Sequence, residues 1–217
     1  MVQIELGRAL KSLAMGLAAA LAVAATAQAG VIYESAAFTG VDTGEYIIND
    51  NSMFGAEFHL NGKTSITGVG AQFGGFPSGD IFAAIVPLSG AFPAGSSKDL
   101  ASIAIAHTTF AVPGGLQDLI TPLATTLGAG DYAVIFGTGQ FGATGFAGLG
   151  WQNTPEGDST LIRSFFADDW ESFSDNGVRI VVDGAPVPEP ADWALMIIGA
   201  GLAGVALRRR KTSTLAA

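Results

Sequence analysis

Cysteine is absent from the 217 residues of this chain, and charged residues make up only 13% of them. Without cysteine the protein has no disulfide framework, no thiolate nucleophile and no cysteine-ligated metal or iron–sulfur site. Low charge together with 49% hydrophobic residues is the opposite of the balance typical of disordered chains. With 30 glycines, the composition therefore indicates a folded, turn-rich domain.

Basic residues are scarce in the middle of the chain. Residues 30–186 contain only Lys63, Lys98, Arg163 and Arg179 against sixteen acidic residues, which gives this segment a net charge of −12. Nucleic-acid binding depends on clustered cations, so nucleic acid is excluded as a partner. An acidic balance is typical of a soluble secreted domain, or of one that meets divalent cations.

Residues that commonly carry catalysis are also few. Histidine occurs only at His59 and His107, and the sequence contains no G-x-S-x-G, H-E-x-x-H or Walker A pattern. His59 falls on the polar side of a strand-like stretch, so we predict a solvated side chain. His107 alternates with Ile103 and Ile105, which predicts a partly buried, hydrogen-bonded ring. We therefore predict a non-enzymatic protein without a cofactor; a secreted hydrolase stays open, because a Ser-His-Asp triad is recognised by geometry.

The densest acidic cluster comprises Asp168, Asp169 and Glu171, followed by Asp175 and Asn176. Carboxylate and amide oxygens are ligands that Ca²⁺ prefers, but the spacing departs from the EF-hand loop. We predict a solvated turn and no metal site, with Ca²⁺ binding as the alternative.

Trp151 and Trp170 are the only tryptophans of residues 30–186. Sugars stack on exposed aromatic rings, so both are candidate sugar contacts of a carbohydrate-binding module. The competing interpretation is that both rings belong to the core.

The N-terminus has the three parts of a secretory signal peptide. Arg8 and Lys11 precede an apolar run at residues 13–25, and Ala27-Gln28-Ala29 then forms an A-x-A cleavage site. The run is shorter than the roughly 20 apolar residues that a membrane-spanning helix needs. We predict a cleaved signal helix at residues 1–29, with Ala27 and Ala29 at the cleavage site, and hence export.

The C-terminus combines a proline motif, an apolar stretch and a basic end. Pro188 and Pro190 favour an extended backbone, residues 193–207 carry no charge, and four cations follow. Such cations stop translocation on the cytoplasmic side. The stretch of 15 residues is about 22 Å long as a helix, against a hydrocarbon core of roughly 30 Å. This predicts a short membrane helix better suited to temporary than to permanent anchoring.

Residues 187–211 resemble the PEP-CTERM sorting domain, in its Trp-containing PEPxxWA variant. The resemblance implies a Gram-negative cell in which an integral-membrane exosortase recognises and processes the tail after the export machinery has acted. It also implies an inner-membrane-anchored intermediate, a final place in the envelope or outside the cell, and association with exopolysaccharide or biofilm. Residues that match the sorting motif and its basic end are Pro188, Glu189, Pro190, Trp193, Ala194, Arg208, Arg209, Arg210 and Lys211.

Between these ends, residues 30–186 predict one all-β domain, an antiparallel β-sandwich or jelly roll, with a sorting tail at residues 187–211 and a short end at 212–217. Residues 54–60 alternate apolar and polar side chains with the period of a half-buried strand. Asn61-Gly62 then predicts a hairpin turn into a strand at residues 66–73. The other predicted strands are residues 31–38, 81–88, 103–112, 131–138, 148–152, 161–166 and 178–183.

Overall fold

The computed structural model describes residues 29–41, 44–155, 160–165, 169–173, 177–188, 197–199 and 201. Ala29–Pro186 forms one compact unit, separate from the terminal residues. It is built almost entirely of antiparallel strands.

The first sheet has the order β1-β15-β5-β11-β3, with β9 on the other side of β5. Strand β5 is long enough to pair with β9 along one side and with β15 and then β11 along the other. The strands of the first sheet are β1 (Gly30–Glu34), β3 (Glu45–Ile48), β5 (Thr64–Ser78), β9 (Gln117–Leu127), β11 (Phe146–Gly150) and β15 (Ile180–Pro186).

The second sheet has the order β14-β13-β4-β10-β6-β7, with β8 on the far side of β6. Its strands are β4 (Ser52–Leu60), β6 (Asp80–Ser89), β7 (Phe92–Pro93), β8 (Ala106–Ala111), β10 (Gly130–Gly137), β13 (Leu161–Phe165) and β14 (Glu171–Phe173). A 3₁₀ helix, Ser97–Ser102, lies between β7 and β8 in the chain. A separate two-stranded ribbon joins β2 (Ala36–Ala37) to β12 (Thr154–Pro155).

The main core lies between the two sheets. Alternate residues of β4, such as Phe54 and Phe58, meet alternate residues of β5, such as Val69 and Phe73, in one buried cluster. This follows from the two-residue period of a strand, which turns every second side chain to the same face. The predicted all-β fold is thus confirmed, as two antiparallel sheets packed face to face.

A second apolar cluster lies on the opposite face of the second sheet. Phe82, Ala84 and Val86 of β6 belong to it, whereas Ile81, Ala83 and Ile85 belong to the main core. Strand β6 is therefore buried on both faces, which explains why residues 81–86 are continuously apolar. Leu100 of the 3₁₀ helix and Ala143 help to cover the outer face.

The predicted hairpin turn at Asn61-Gly62 is wrong. Strand β4 belongs to the second sheet and β5 to the first, so these residues connect the sheets and not two paired neighbours. Neither residue has a positive φ, which the favoured two-residue hairpin turn would require. A similar corner joins β5 to β6 at Gly79, whose φ of 65° is readily adopted by glycine.

Most predicted strands are present, with shifted ends. Strand β8 is shorter than predicted, since residues 103–105 precede it, and the predicted strand at 31–38 is divided between β1 and β2. Sequence reasoning missed β9 and the short β3, β7, β12 and β14. Pro122 and the exposed Ile120 mask the alternation of β9, although Leu119, Leu123 and Leu127 do face the core.

Neither predicted terminal helix is tested along its length. Residues 1–28 of the predicted signal helix at residues 1–29 lie outside the described residues, as does most of the predicted membrane helix. Residues 197–199 and 201 are helical. Among the residues described, no helix has both the length and the apolar character needed to span a membrane.

Close approach of β9 to β5 leads to a stability prediction. A Cβ atom at Gly70 would collide with the carbonyl oxygen of Leu119 and with the backbone of Ile120. Because backbone cannot move aside easily, Gly70→Ala should lower the free energy of unfolding by roughly 2 kcal/mol. Urea unfolding followed by tryptophan fluorescence measures this difference.

Gly114→Ala is the matched control, because nothing lies within 4 Å of a Cβ at that position. Equal unfolding midpoints for the two variants would contradict the packing argument.

Candidate functional site

The predicted sorting residues are described only in part. Pro188 is exposed and lies two residues beyond the end of β15, and Ala29 is exposed immediately before β1. The other predicted residues of the sorting motif, basic end and cleavage site lie outside the described residues: Ala27, Glu189, Pro190, Trp193, Ala194, Arg208, Arg209, Arg210 and Lys211.

Trp151 is mainly a packing residue. Its ring is half-buried against the main core and lies 6.4 Å from the ring of Tyr46. A side chain at position 44 would collide with the indole, so Gly44 leaves the space that the ring occupies. The backbone N–H of Trp151 donates a hydrogen bond to the carbonyl oxygen of Gly44 over 3.3 Å.

Trp170 forms a wall of an open groove on the outer side of the second sheet. The groove has a volume of about 590 Å³ and is lined by Phe92, Gly95, Ser96, Asp169 and Trp170. The indole Nε1 donates a hydrogen bond to the carbonyl oxygen of Gly95 over 2.9 Å. Trp170 and Phe92 both pack on the outer apolar cluster while remaining half-exposed. Two aromatic side chains thus line the same groove as a carboxylate and a hydroxyl, and a hydrogen bond from Trp170 to Gly95 joins two parts of its lining.

A second cleft lies where β3, β4 and β13 meet. It has a volume of about 280 Å³, and Phe54 and Phe165 in its lining make an edge-to-face contact at 5.4 Å. Asn49 and Ser52 supply polar atoms, but the Ser52 hydroxyl donates to the carbonyl oxygen of Ile47 and contacts Asn49 Oδ1 at 3.2 Å. The Ser52 hydroxyl and the Asn49 amide oxygen are therefore engaged within the protein, whereas Glu45 and Asn51 also line the cleft.

The two histidines are both exposed. For His59 the predicted solvated position is confirmed, and its Nδ1 lies 2.6 Å from Asp131 Oδ1 on the neighbouring strand β10. The prediction for His107 is wrong: its ring is exposed and stacks on Phe141 at 4.2 Å. The reason is that Ala106 and Phe110 of β8 pack on the main core, so His107 projects from the opposite face of this strand. Neither histidine lines either of the two clefts.

The acidic cluster is divided. Glu171 accepts a hydrogen bond from Arg163 Nε over 2.9 Å, and Asp169 lines the groove. Asp168, Asp175 and Asn176 lie outside the described residues. Within the described ranges, no three histidine or acidic side chains come close enough together to hold a metal ion.

Sequence reasoning missed a buried ionic network around Arg179. The guanidinium donates to Asp118 over 2.8 Å and 3.2 Å, to the carbonyl oxygen of Ala36 over 2.8 Å, and to Glu34. Its side chain is only 8% exposed. Burial lowers the pKa of Arg179, but the hydrogen bond and charge of Asp118 and the charge of Glu34 outweigh this and raise it above its usual value. The signal available in the sequence was that Arg179 is one of only four cations in residues 30–186.

Glu57 and Asp183 are partly buried, and each has one buried carboxyl oxygen without a hydrogen-bond partner among the described residues. Burial raises the pKa of Glu57, and the charge of nearby Asp131 raises it further. Burial also raises the pKa of Asp183, against a smaller lowering by Arg179. Neither group lines either of the two described clefts.

Comparison with known proteins identifies the C-terminal segment. Residues 186–211 match the protein family described as the PEP-CTERM protein-sorting motif, which confirms the resemblance noted from the sequence. This motif implies an exported protein that an exosortase processes and that is associated with the membrane during sorting. No curated protein and no solved structure gives a significant match to the chain.

Removing the cation of the buried network should destabilise the domain. Arg179→Met leaves Glu34 and Asp118 without their shared partner, and we expect a loss of about 3 kcal/mol in the free energy of unfolding. Arg163→Met is the control, because its ion pair with Glu171 is half-exposed and should contribute less than about 1 kcal/mol. Similar losses in the two variants, measured by urea unfolding, would show that the network does not stabilise the fold.

The raised pKa of Glu57 predicts a pH-dependent stability effect. The folded protein holds the Glu57 proton more tightly than the unfolded chain, whose glutamate pKa is about 4.3. The resulting stabilisation is complete below that pH and is lost as the pH rises through the folded-state pKa. Glu57→Gln should therefore raise the melting temperature at pH 7, and the gain should shrink toward pH 4.

Asp50→Asn removes an exposed carboxylate in a turn and controls for the change in net charge. A gain for Glu57→Gln that is independent of pH, or equal to the effect of Asp50→Asn, would refute the explanation.

Proposed function

We propose that this chain, which carries a PEP-CTERM protein-sorting motif at residues 186–211, is an exported, non-enzymatic surface or extracellular-matrix protein associated with exopolysaccharide. After removal of the signal peptide, the tail holds an intermediate at the inner membrane. An exosortase then processes the tail, and the body remains in the envelope or outside the cell.

The ends of the folded body are compatible with two processing events. Strand β1 begins at Gly30, directly after the proposed cleavage site, and β15 ends at Pro186, where the matched motif begins. Pro188 is exposed and outside any strand. Cleavage at these ends would therefore leave every strand of the two sheets intact.

The placement of the histidines supports a non-enzymatic body. His59 is paired with Asp131, but their side chains are 58% and 64% exposed, on an open strand surface. A general base needs a reacting group held next to it, and His59 lines neither described cleft. Within the described ranges, no observation favours the hydrolase alternative.

A second candidate function is that of a carbohydrate-binding module acting on the cell's own polysaccharide. The observation that favours it is the groove beside Trp170, where aromatic and polar side chains meet. Trp151 supports it less, because its ring is engaged in packing against the main core and Tyr46.

Sorting can be tested by the intact mass of the mature protein in membrane and medium fractions. For the wild type we expect a product that begins at Gly30 and lacks residues 193–217. Glu189→Ala removes the acid of the sorting motif, and we expect the unprocessed tail to accumulate in the membrane fraction. The start at Gly30 follows from removal of the signal peptide. Loss of residues 193–217, and their retention in Glu189→Ala, follow from recognition of the tail by an exosortase.

Asp192→Ala removes one acid from the same tail, at a variable position of the PEPxxWA pattern, and should be processed normally. A wild-type protein that keeps its whole tail in the membrane would overturn the proposal of transient anchoring. Association is then tested by extracting the polysaccharide matrix and asking whether the processed protein remains with it.

A further inference from the structure

The groove beside Trp170 combines features that a sugar ring requires. A pyranose has an apolar face of C–H groups and an edge of hydroxyl groups. Trp170 and Phe92 offer aromatic surface, while Asp169 and Ser96 offer polar atoms on the same lining. Ligand sites with this division, apolar walls and a few placed polar groups, are typical of small-molecule binding.

The walls of the groove are held in place by the rest of the fold. Trp170 is bonded to the carbonyl oxygen of Gly95. The preceding residue, Ala94, donates its N–H to the carbonyl oxygen of Pro87 on β6 over 3.0 Å. Ser96 then caps the 3₁₀ helix by accepting a hydrogen bond from the N–H of Lys98 over 3.2 Å. An aromatic wall that is ordered before binding loses less conformational entropy when a ligand arrives.

The 3₁₀ helix beneath the groove is itself fixed to the second sheet. The buried Ser97 hydroxyl contacts the Ser164 hydroxyl of β13 at 2.9 Å. Gln140 donates to the carbonyl oxygen of Ser97 over 2.8 Å and accepts from the N–H of Leu100 over 2.8 Å. These bonds connect the groove to both β13 and the loop after β10, so its shape depends on the tertiary fold.

The charge of the site selects among saccharides. Asp169 is exposed, and no cation lines the groove among the described residues. An anionic sugar would be repelled by this carboxylate, whereas a neutral sugar can donate two hydroxyl hydrogen bonds to it. The Ser96 hydroxyl can donate to a third sugar oxygen.

We propose that the groove formed by Phe92, Gly95, Ser96, Asp169 and Trp170 binds a neutral hexose unit of a polysaccharide. The apolar face of the sugar lies on the aromatic walls, and Asp169 accepts hydrogen bonds from its hydroxyl groups. This inference rests on the proposed association with exopolysaccharide and names the surface that makes the contact.

The test is binding of neutral hexasaccharides of glucose, galactose or mannose to the exported protein, with a hexamer of glucuronic acid as the anionic comparison. Titration calorimetry should detect binding of at least one neutral hexamer and weaker binding of the anionic one. Asp169→Ala should weaken the neutral complex about tenfold, as expected for loss of a charged acceptor. Its melting temperature should stay unchanged, because the side chain is exposed.

Asp50→Ala, at an exposed carboxylate outside the groove, should bind like the wild type. A second readout is tryptophan emission, which should respond to the sugar in Trp151→Phe but lose that response in Trp170→Phe. Phenylalanine keeps a ring at position 170, so this variant tests the site without emptying it.

Three results would overturn the assignment: no binding of any neutral hexamer, equal affinity in Asp169→Ala, or tighter binding of the anionic hexamer. These failures are distinguishable from failure of the proposed function. If the wild-type protein is sorted and retained in the matrix, and the Asp169→Ala variant is retained equally, the proposed function stands and the groove is not the binding site.

Discussion

The second sheet has two buried faces, and the arrangement of the domain depends on covering both. In β6 the side chains of residues 81–86 point alternately into the main core and into the outer cluster. A strand of this kind is stable only if apolar groups cover each face. The first sheet covers one face, and the segment around the 3₁₀ helix covers the other together with Phe141 and Trp170. The groove beside Trp170 exists because this outer cover is incomplete.

On the outer face of the first sheet, hydrogen-bonded polar side chains are buried. Gln72 is completely buried there, and its Nε2 donates to the carbonyl oxygen of Val41 over 3.1 Å. Asn153 donates to Gln72 Oε1 and, over 3.0 Å, to the carbonyl oxygen of Gly177. A buried amide must be hydrogen-bonded to avoid a desolvation penalty. The partners of these two amides thus connect segments that are distant in the chain.

The sorting tail emerges from a strand that is held on both sides. Strand β15 pairs with β1 and with β5, and Gly30 lies opposite Gly184. The first and last strands of the body therefore run antiparallel, and the exported chain enters and leaves the body at the same end of this strand pair. Arg179, just before β15, bonds to Glu34 at the end of β1 and to Asp118 of β9. These contacts tie the strand that carries the tail to its neighbours.

Several strands and the sorting tail could be predicted from the sequence. The features that could not be predicted depend on which distant parts of the chain pair or pack together. Period-two alternation and continuous apolar runs identified β4, β6 and β10, and the tail motif identified an exported protein that an exosortase sorts. These signals are local, because side-chain direction and motif spacing follow directly from chain order. Asn61-Gly62 shows the limit: a turn sequence states which backbone angles are tolerated, but not whether the flanking strands pair.

Tertiary structure alone decided which distant side chains meet. Trp170 reaches Gly95, 75 positions away, and Arg179 reaches Asp118, 61 positions away. Such contacts depend on strand order and register, which are set by packing of the whole domain. The sequence therefore determined that the protein is an exported β-protein with a sorting tail. Only the fold decided that Arg179 forms the buried ionic network, that His107 is exposed, and that Trp170 rather than Trp151 lines a groove, because each depends on contacts between residues far apart in the chain.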